Sequence, residues 1–158
     1  MILTLNSIID KFQTFSEDHG QINDFIFGTP QDSNDRDYPL LNVTLETPSY
    51  VVQGDRSLTP QMSLTFKLID RIITFDNNDN GYRSTNQGDI YSDNFQIMID
   101  LVQYIKNNLS NPYGIVLRSE DLVTIDPIQQ INEDDVCGWE MDLQLTVKYL
   151  NCEIPNIT

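Results

Sequence analysis

The sequence has few basic residues: Lys and Arg together number 9 of 158 residues, against 24 Asp and Glu, which gives a formal net charge of −15 at pH 7. A protein that grips nucleic-acid phosphates needs clustered Lys and Arg, and this chain cannot supply a large basic patch. The same shortage disfavours docking on an anionic membrane surface. The charge fits an ordinary solvated surface, and it equally fits a surface that must not adhere to a polyanion passing close by. Composition does not separate these two interpretations.

Long apolar runs are also missing. No stretch approaches the ~20 apolar residues of a membrane-spanning helix, and residues 1–7 lack the charged and apolar regions of a signal peptide. We therefore expect neither secretion nor membrane insertion. A hydrophobic fraction of 39%, with seven Phe and seven Tyr, nevertheless argues against a disordered acidic tail, and the length suits a single domain over residues 1–158.

Residues that commonly carry catalysis are scarce. His19 is the single histidine, and because it lies in a polar stretch after a predicted helix, we predict a surface residue rather than a catalytic base. Cys137 and Cys152 form no C-x-x-C pair, which favours two reduced thiols over a disulfide. Phosphate-binding glycine loops, zinc-protease motifs and nucleophile elbows are missing. We expect no enzyme activity, no cofactor and no metal site.

Two acidic segments need an explanation. Residues 76–81 match the first half of an EF-hand calcium loop, but the twelfth position, which needs a bidentate Glu, is Gln87. We therefore predict a polar loop there. The run Glu133, Asp134 and Asp135 is predicted to be a solvated hairpin turn, because a carboxyl group needs burial before it can serve as a general acid.

Apolar residues recur at helical spacing in two segments. Steps of three and four in residues 6–15 predict an amphipathic helix that stops near Gly20. For the second helix, Asp93 is the predicted N-cap, Gln96 completes a capping-box-like pair, and the Asn-Pro at residues 111–112 ends the helix.

Alternation of apolar and polar residues predicts the strands. The clearest cases are residues 62–68, which could extend to residue 75, and residues 139–149. Residues 41–45 and 50–52 flank Pro48 and form one bent strand or two short ones. Weaker segments are an apolar cluster at 25–27, a short strand at 115–117 and a strand at 122–131, which would form a hairpin with 139–149.

The predicted order is α-β-β-β-α-β-β, which indicates an α+β fold. We expect an antiparallel or mixed sheet of about four to six strands, with two helices packed on one face. Residues 31–37 and 76–93 are predicted long loops or arms, and residues 153–158 a C-terminal tail.

Six residues are candidates for subunit contacts. Gly138 and Trp139 follow the acidic hairpin tip, and Trp139 either anchors a neighbouring subunit or covers the core; the sequence favours neither. Asp76, Asp79, Tyr82 and Tyr91 lie on the predicted loop 76–93, which is long enough to reach a neighbour.

The element order, together with four short segments, resembles the tail-terminator and tail-completion proteins of tailed bacteriophages, which join or close the tail. The segments are Leu-Asn-Val at 41–43, Ser-Asp-Asn-Phe-Gln-Ile-Met at 92–98, a D-x-x-x-G-W pattern ending at Trp139, and Lys-Tyr-Leu-Asn-Cys at 148–152. The resemblance covers residues 1–152. It implies a structural virion protein without catalytic activity, made in the bacterial cytoplasm and located in the tail or neck.

The resemblance further implies a closed ring of six or twelve copies around an axial channel, in contact with other neck, portal or tail proteins. Double-stranded DNA would pass through that channel without specific binding, and an acidic lining suits such passage because every Lys or Arg contact would add drag. The carboxylates should then line the channel or the outer rim.

An alternative is an acidic binding module that mimics DNA and inhibits a DNA-binding protein. The predicted polar face, however, carries only two acidic residues, Glu140 and Asp142, and one basic residue, Lys148. A metal-dependent hydrolase finds little support.

Overall fold

A computed structural model describes residues 4–29, 36–53, 58–75, 84–117, 123–129 and 135–147. Within these ranges the chain forms two α-helices and six strands. The helices are α1 (Leu5–Asp18) and α2 (Gln87–Tyr104), and the strands are β1 (Asp24–Phe27), β2 (Leu40–Gln53), β3 (Leu58–Arg71), β4 (Ile115–Leu117), β5 (Ile125–Ile128) and β6 (Val136–Val147). The helical path of α2 continues through a π-helical segment, Ile105–Leu109.

The six strands form one mixed sheet. Its order is β1-β2-β3-β6-β4, and β5 also pairs with β6. The pair β1 and β2 is parallel, whereas the other pairs are antiparallel. The predicted α+β class is confirmed. The sheet is not purely antiparallel, because β1 pairs with β2 in the parallel direction. The predicted order has two strands after the second helix, whereas the structure has three.

Helix α1 begins where the sequence provides a cap. Thr4 and Ser7 form a capping box, in which each side chain accepts a hydrogen bond from the other residue's backbone N–H, at 3.2 and 2.8 Å. The helix buries an apolar stripe that includes Phe12 and Phe15. After the helix, Gly20 adopts a φ of 63°, the left-handed conformation expected for a glycine at this position.

The core lies between the two helices and one face of the sheet. Cross-strand neighbours on this face include Val43, Phe66 and Met141, which the register places side by side on β2, β3 and β6. Phe12 of α1 packs edge-on against Phe66, with ring centroids 4.9 Å apart. Both helices contribute to this single apolar cluster, which confirms that they pack on one face.

Helix α2 begins six residues before the predicted cap Asp93, so residues 87–93 belong to the helix rather than to a loop. Asn86 fixes this start. Its side-chain oxygen accepts from the backbone N–H of Ile73 at 2.7 Å, and its amide donates to the Arg71 carbonyl at 3.1 Å. These bonds connect the start of α2 to the end of β3. Tertiary contacts therefore determine where the helix begins, whereas the local sequence pattern predicted a start further along the chain.

Two strand predictions are resolved by the register. Strand β2 is a single strand whose pairing with β3 shifts between Glu46 and Tyr50. The hairpin of β5 and β6 is confirmed, with Ile125 opposite Met141.

No helix in the described part of the chain is long and apolar enough to cross a membrane. The predicted tail 153–158 lies outside the described residues, as do residues 31–35 of the predicted loop 31–37 and residues 76–83 of the predicted loop 76–93.

Candidate functional site

The structure brings together two of the six candidate contact residues, Tyr91 and Trp139. Trp139 of β6 packs edge-on against Tyr91 of α2, with centroids 5.5 Å apart, and lies 5.1 Å from the Phe95 ring. The indole N–H donates to the Tyr91 carbonyl at 2.8 Å, and the Tyr91 hydroxyl donates to the Ile128 carbonyl at 3.0 Å. These contacts join α2 to the β5–β6 hairpin, which favours Trp139 as a cover of the core over Trp139 as a free anchor.

Gly138 has a structural reason to be glycine. It is buried, and a Cβ atom at this position would overlap the Leu68 carbonyl oxygen and lie 2.9 Å from its carbonyl carbon. The backbones of β3 and β6 therefore lie so close together at Gly138 that there is no room for a side chain. The remaining candidates, Asp76, Asp79 and Tyr82, lie outside the described residues.

His19 is more enclosed than the sequence predicts. Its side chain is 13% exposed, its ring is tilted by 54° against that of Phe15 with centroids 5.3 Å apart, and its Nε2 lies 3.2 Å from a carboxylate oxygen of Asp100. The ring is therefore partly covered rather than freely exposed, since Asp100 of α2 lies against it at the end of α1. The contact connects the two helices and offers no neighbouring nucleophile among the described residues.

Cys137 is a buried free thiol. Burial, assisted by the negative charge of Asp70 across the strand pair, raises the pKa of the Cys137 thiol to about 11. At neutral pH the thiol stays protonated and is a poor nucleophile. Cys152 lies outside the described residues.

The face of the sheet opposite the helices is polar. Lys67 of β3 and Glu140 of β6 are cross-strand partners and form an ion pair at 3.4 Å. Next to them, the Thr65 hydroxyl donates to a carboxylate oxygen of Asp142, while Asp126 on β5 is exposed. This alternation, polar outward and apolar inward, is typical of an antiparallel sheet with one solvated face.

One edge of the sheet exposes apolar side chains. Phe27 at the end of β1 is 41% exposed, and Leu45 on β2 is 46% exposed. Phe27 lies opposite Val43 in the parallel register, so Leu45 is the next residue on the same face. We call Phe27 and Leu45 the edge patch. In the described part of the chain, β1 pairs only with β2, and the far edge is formed by β4 and β5, which both pair with β6.

A second surface feature is an acidic cleft of about 440 Å³ between the end of β3, the first turns of α2 and the segment that joins α1 to β1. Its charged side chains are Asp70, Asp89 and Asp93, and no basic side chain lines it. Burial raises the pKa of Asp70, and the nearby charge of Asp93 raises it further, whereas the hydrogen bond from the Arg71 backbone opposes the shift. We call this feature the acidic cleft.

The amide side chains of the acidic cleft differ in their bonding. The Asn23 side-chain amide donates to the Tyr38 carbonyl at 2.5 Å. The Asn86 side-chain amide donates to the Arg71 carbonyl at 3.1 Å. Asn94 is 1% exposed, yet its Nδ2 is buried without a hydrogen-bond partner. An unsatisfied buried donor costs about 1–3 kcal/mol, and this one is enclosed by protein atoms.

The sequence contained one signal for the acidic cleft. Asp89 and Asp93 are four residues apart, so these two carboxylates lie on one face once the segment is helical. Assigning residues 87–93 to a loop concealed this face. Asp70 and Asn23 come from other elements, and their positions depend on the tertiary fold.

Metal ligation finds no support in the described ranges, which hold no group of three or more His, Cys, Asp or Glu side chains placed to share an ion. No protein-family model matches the chain, and no curated protein sequence matches it.

Proposed function

We propose that the chain is a structural virion protein of a tailed bacteriophage that forms a ring at the neck or tail end, through which DNA passes, and that it has no enzymatic activity. The resemblance in the sequence motivates the choice of virion. Support from the fold comes from the sheet, because its two edges are different strands.

The observation that carries the ring is the pair of unlike edges, β1 at one end of the sheet and β4 together with β5 at the other. A contact between different edges of two copies is head-to-tail, and such contacts close into a ring when the rotation permits. The edge patch lies at the β1 end, where Phe27 and Leu45 expose apolar surface that a neighbouring copy would cover. We place the subunit contact there.

The charge suits passage of DNA. Each copy adds a formal charge of −15 to the ring, and an acidic lining repels phosphates and makes no lasting contacts with a moving duplex. The same charge opposes assembly, so apolar contacts such as the edge patch must overcome repulsion between copies.

The DNA-mimic alternative has less support. A mimic needs unpaired carboxylates arranged along one face, but Lys67 neutralises Glu140 in the centre of the polar face, and Thr65 occupies an oxygen of Asp142. A one-to-one complex with a basic DNA-binding protein, formed by a chain that never assembles, would favour the mimic over the ring.

Native mass spectrometry and negative-stain microscopy test the ring, with the purified chain alone and with the portal and tail proteins of the same virion. We expect closed particles of six or twelve copies. Assembly should strengthen when NaCl is raised from about 0.05 to 0.5 M, because screening weakens repulsion between acidic copies.

Substitutions locate the contact. Phe27→Asp and Leu45→Asp should abolish the ring and leave the monomer folded, since both side chains are already exposed. Ile73→Asp is the matched control, because Ile73 is 54% exposed but lies away from the edge patch; it should leave the ring intact. A strict monomer under every condition, including with virion partners, would refute the proposal. Rings that survive both edge-patch substitutions would refute the placement of the contact.

A further inference from the structure

Strand β2 extends well beyond its pairing with β1. The two strands pair only at Leu40–Val43, whereas β2 continues to Gln53. The Gly28 N–H donates to the Val43 carbonyl at 2.8 Å, so the main-chain groups of Val43 face the β1 side. Those of Leu45, two residues further on, face the same side, and within the described ranges no strand lies beside them. We call residues 44–53 of β2 the open edge, because such an edge accepts an added strand through main-chain hydrogen bonds.

The chain leaves the sheet on its opposite side and at the same height. Strand β6 ends at Val147, beside the edge strand β4. The register places Tyr50 of β2, Gln61 of β3 and Thr146 of β6 in one row. Residues 148–158, which lie outside the described residues, therefore begin level with the open edge but on the other side of the sheet.

The sequence after β6 changes the phase of its apolar pattern. The inward-facing apolar residues of β6 have odd numbers and end with Val147. From residue 150 the apolar residues have even numbers, at Leu150, Cys152 and Ile154, and Pro155 follows. A direct continuation of β6 would place these three side chains on the polar face, because successive residues of a strand point to opposite faces. The new phase therefore suits a separate strand that covers another apolar surface.

Leu150 cannot reach the open edge of its own copy. Three residues beyond Val147 span at most about 11 Å when fully extended. A strand added to the open edge lies three strand spacings from β6, across β3 and β2, which is about 14 Å. In a head-to-tail contact, by contrast, the β4 side of one copy faces the β1–β2 side of the next and brings the end of β6 to that open edge. The distance therefore selects a second copy as the source of the strand.

We propose that residues 150–154 of one copy add as a strand to the open edge of the next copy, with Leu150, Cys152 and Ile154 covering Leu45. The inference rests on the proposed ring, since it names the segment that makes the head-to-tail contact. Leu45 is 46% exposed in the single chain, so the added strand would combine main-chain hydrogen bonds with burial of apolar surface. Both oppose the repulsion between acidic copies.

Cys152 makes the contact accessible to cross-linking on the full chain. Leu45→Cys places a second thiol on the open edge, and a short bismaleimide joins thiols on neighbouring strands even when the register is shifted by one residue pair. We expect a ladder of linked copies on a denaturing gel of the assembled protein. Ile73→Cys is the matched control and should give no ladder, because Ile73 is 54% exposed but lies away from the edge patch. Cys137 is buried and should not react.

Substitutions in the segment test whether it stabilises assembly. Leu150→Asp and Ile154→Asp should each raise the protein concentration needed for ring formation by at least about tenfold, because each places a charge where the added strand meets apolar surface. Ile157→Asp is the matched control, since it lies beyond Pro155, which cannot donate to a strand ladder. It should assemble like the parent. Melting curves confirm that each variant is folded.

A synthetic peptide of residues 148–158 tests the contact without the ring. The peptide is titrated into the labelled Leu150→Asp protein while the backbone amide signal of Leu45 is followed by nuclear magnetic resonance. We expect a saturable shift of this signal. The same peptide with Asp in place of Leu150 should bind at least about tenfold more weakly.

The outcomes separate this inference from the proposed function. Rings that give no ladder with Leu45→Cys, or that form equally well with Leu150→Asp and Ile157→Asp, would overturn the inference and leave the ring intact. Loss of both thiols within single copies would place the segment on its own sheet and would also overturn it. A strict monomer whose Leu45 signal still responds to the peptide would refute the ring while supporting the segment as the ligand of the open edge.

Discussion

At the scale of single residues, Gly138 is the one of the four described glycines tested for an added Cβ atom at which that atom would overlap main-chain atoms. An added methyl group would collide with the main chain of Leu68 and Ile69 on β3, so the two central strands would have to separate. We expect Gly138→Ala to lower the free energy of unfolding by about 3 kcal/mol, the upper end of the cost of overpacking. Chemical denaturation measured by circular dichroism gives this value.

Gly88 provides the matched control for Gly138. It lies in the first turn of α2, and a Cβ atom there would meet nothing within 4 Å. Gly88→Ala should leave stability unchanged or raise it by up to about 1 kcal/mol, because alanine favours the helix. Equal effects of the two substitutions would show that the strand contact at Gly138 is not tight.

Cys137 gives a second prediction at this scale. Its burial and its pKa of about 11 leave almost no thiolate at pH 8, and the thiolate is the reactive form. In a Cys152→Ser background, iodoacetamide should alkylate Cys137 at least about a hundredfold more slowly in the native protein than in guanidinium chloride. Equal rates, followed by mass spectrometry, would contradict the buried position.

At the scale of elements, the sequence predicts those whose signal is local. The stripe of α1 and the alternation of β6 each identify the element, because burial of one face imposes the period. Strand β1 has only four residues, and its parallel pairing joins two segments that are not adjacent in the chain. The start of α2 depends on hydrogen bonds from Asn86 to β3, and the acidic cleft depends on that start. Such tertiary contacts have no periodic signature in the sequence.

Trp139 is where two elements are joined, and a conservative substitution tests how. Trp139→Phe keeps an aromatic ring against Tyr91 and Phe95 but removes the donor to the Tyr91 carbonyl. We expect a loss of about 1 kcal/mol in the free energy of unfolding, the usual value of one hydrogen bond. Calorimetric melting of the variant measures it.

The same variant separates the two interpretations of Trp139. If the indole covers the core, Trp139→Phe lowers the melting temperature and leaves the assembly state unchanged below that temperature. Unaltered melting together with loss of assembly would instead identify Trp139 as a subunit anchor.

At the scale of the whole molecule, the dependence of stability on pH reports the acidic cleft. The pKa of Asp70 is raised above its ordinary value of 3.8, chiefly by burial and also by Asp93. The folded state therefore binds this proton more tightly than the unfolded chain, so the contribution of Asp70 to stability falls as pH rises from 3.8 through the raised pKa. Above that pKa the charged carboxylate destabilises the fold.

Asp70→Asn removes this penalty and retains an oxygen that can accept from the Arg71 backbone, as Asp70 does at 2.7 Å. We expect the variant to be more stable than the parent at pH 7, and the difference to shrink as the pH approaches 3.8, where Asp70 of the parent is protonated in the folded state. Urea denaturation between pH 3.5 and 7 measures the difference. Asp126→Asn on the exposed opposite face controls for the loss of one negative charge from an acidic chain. A difference that is constant with pH, or equal to that of the control, would mean that the cleft does not perturb the pKa of Asp70.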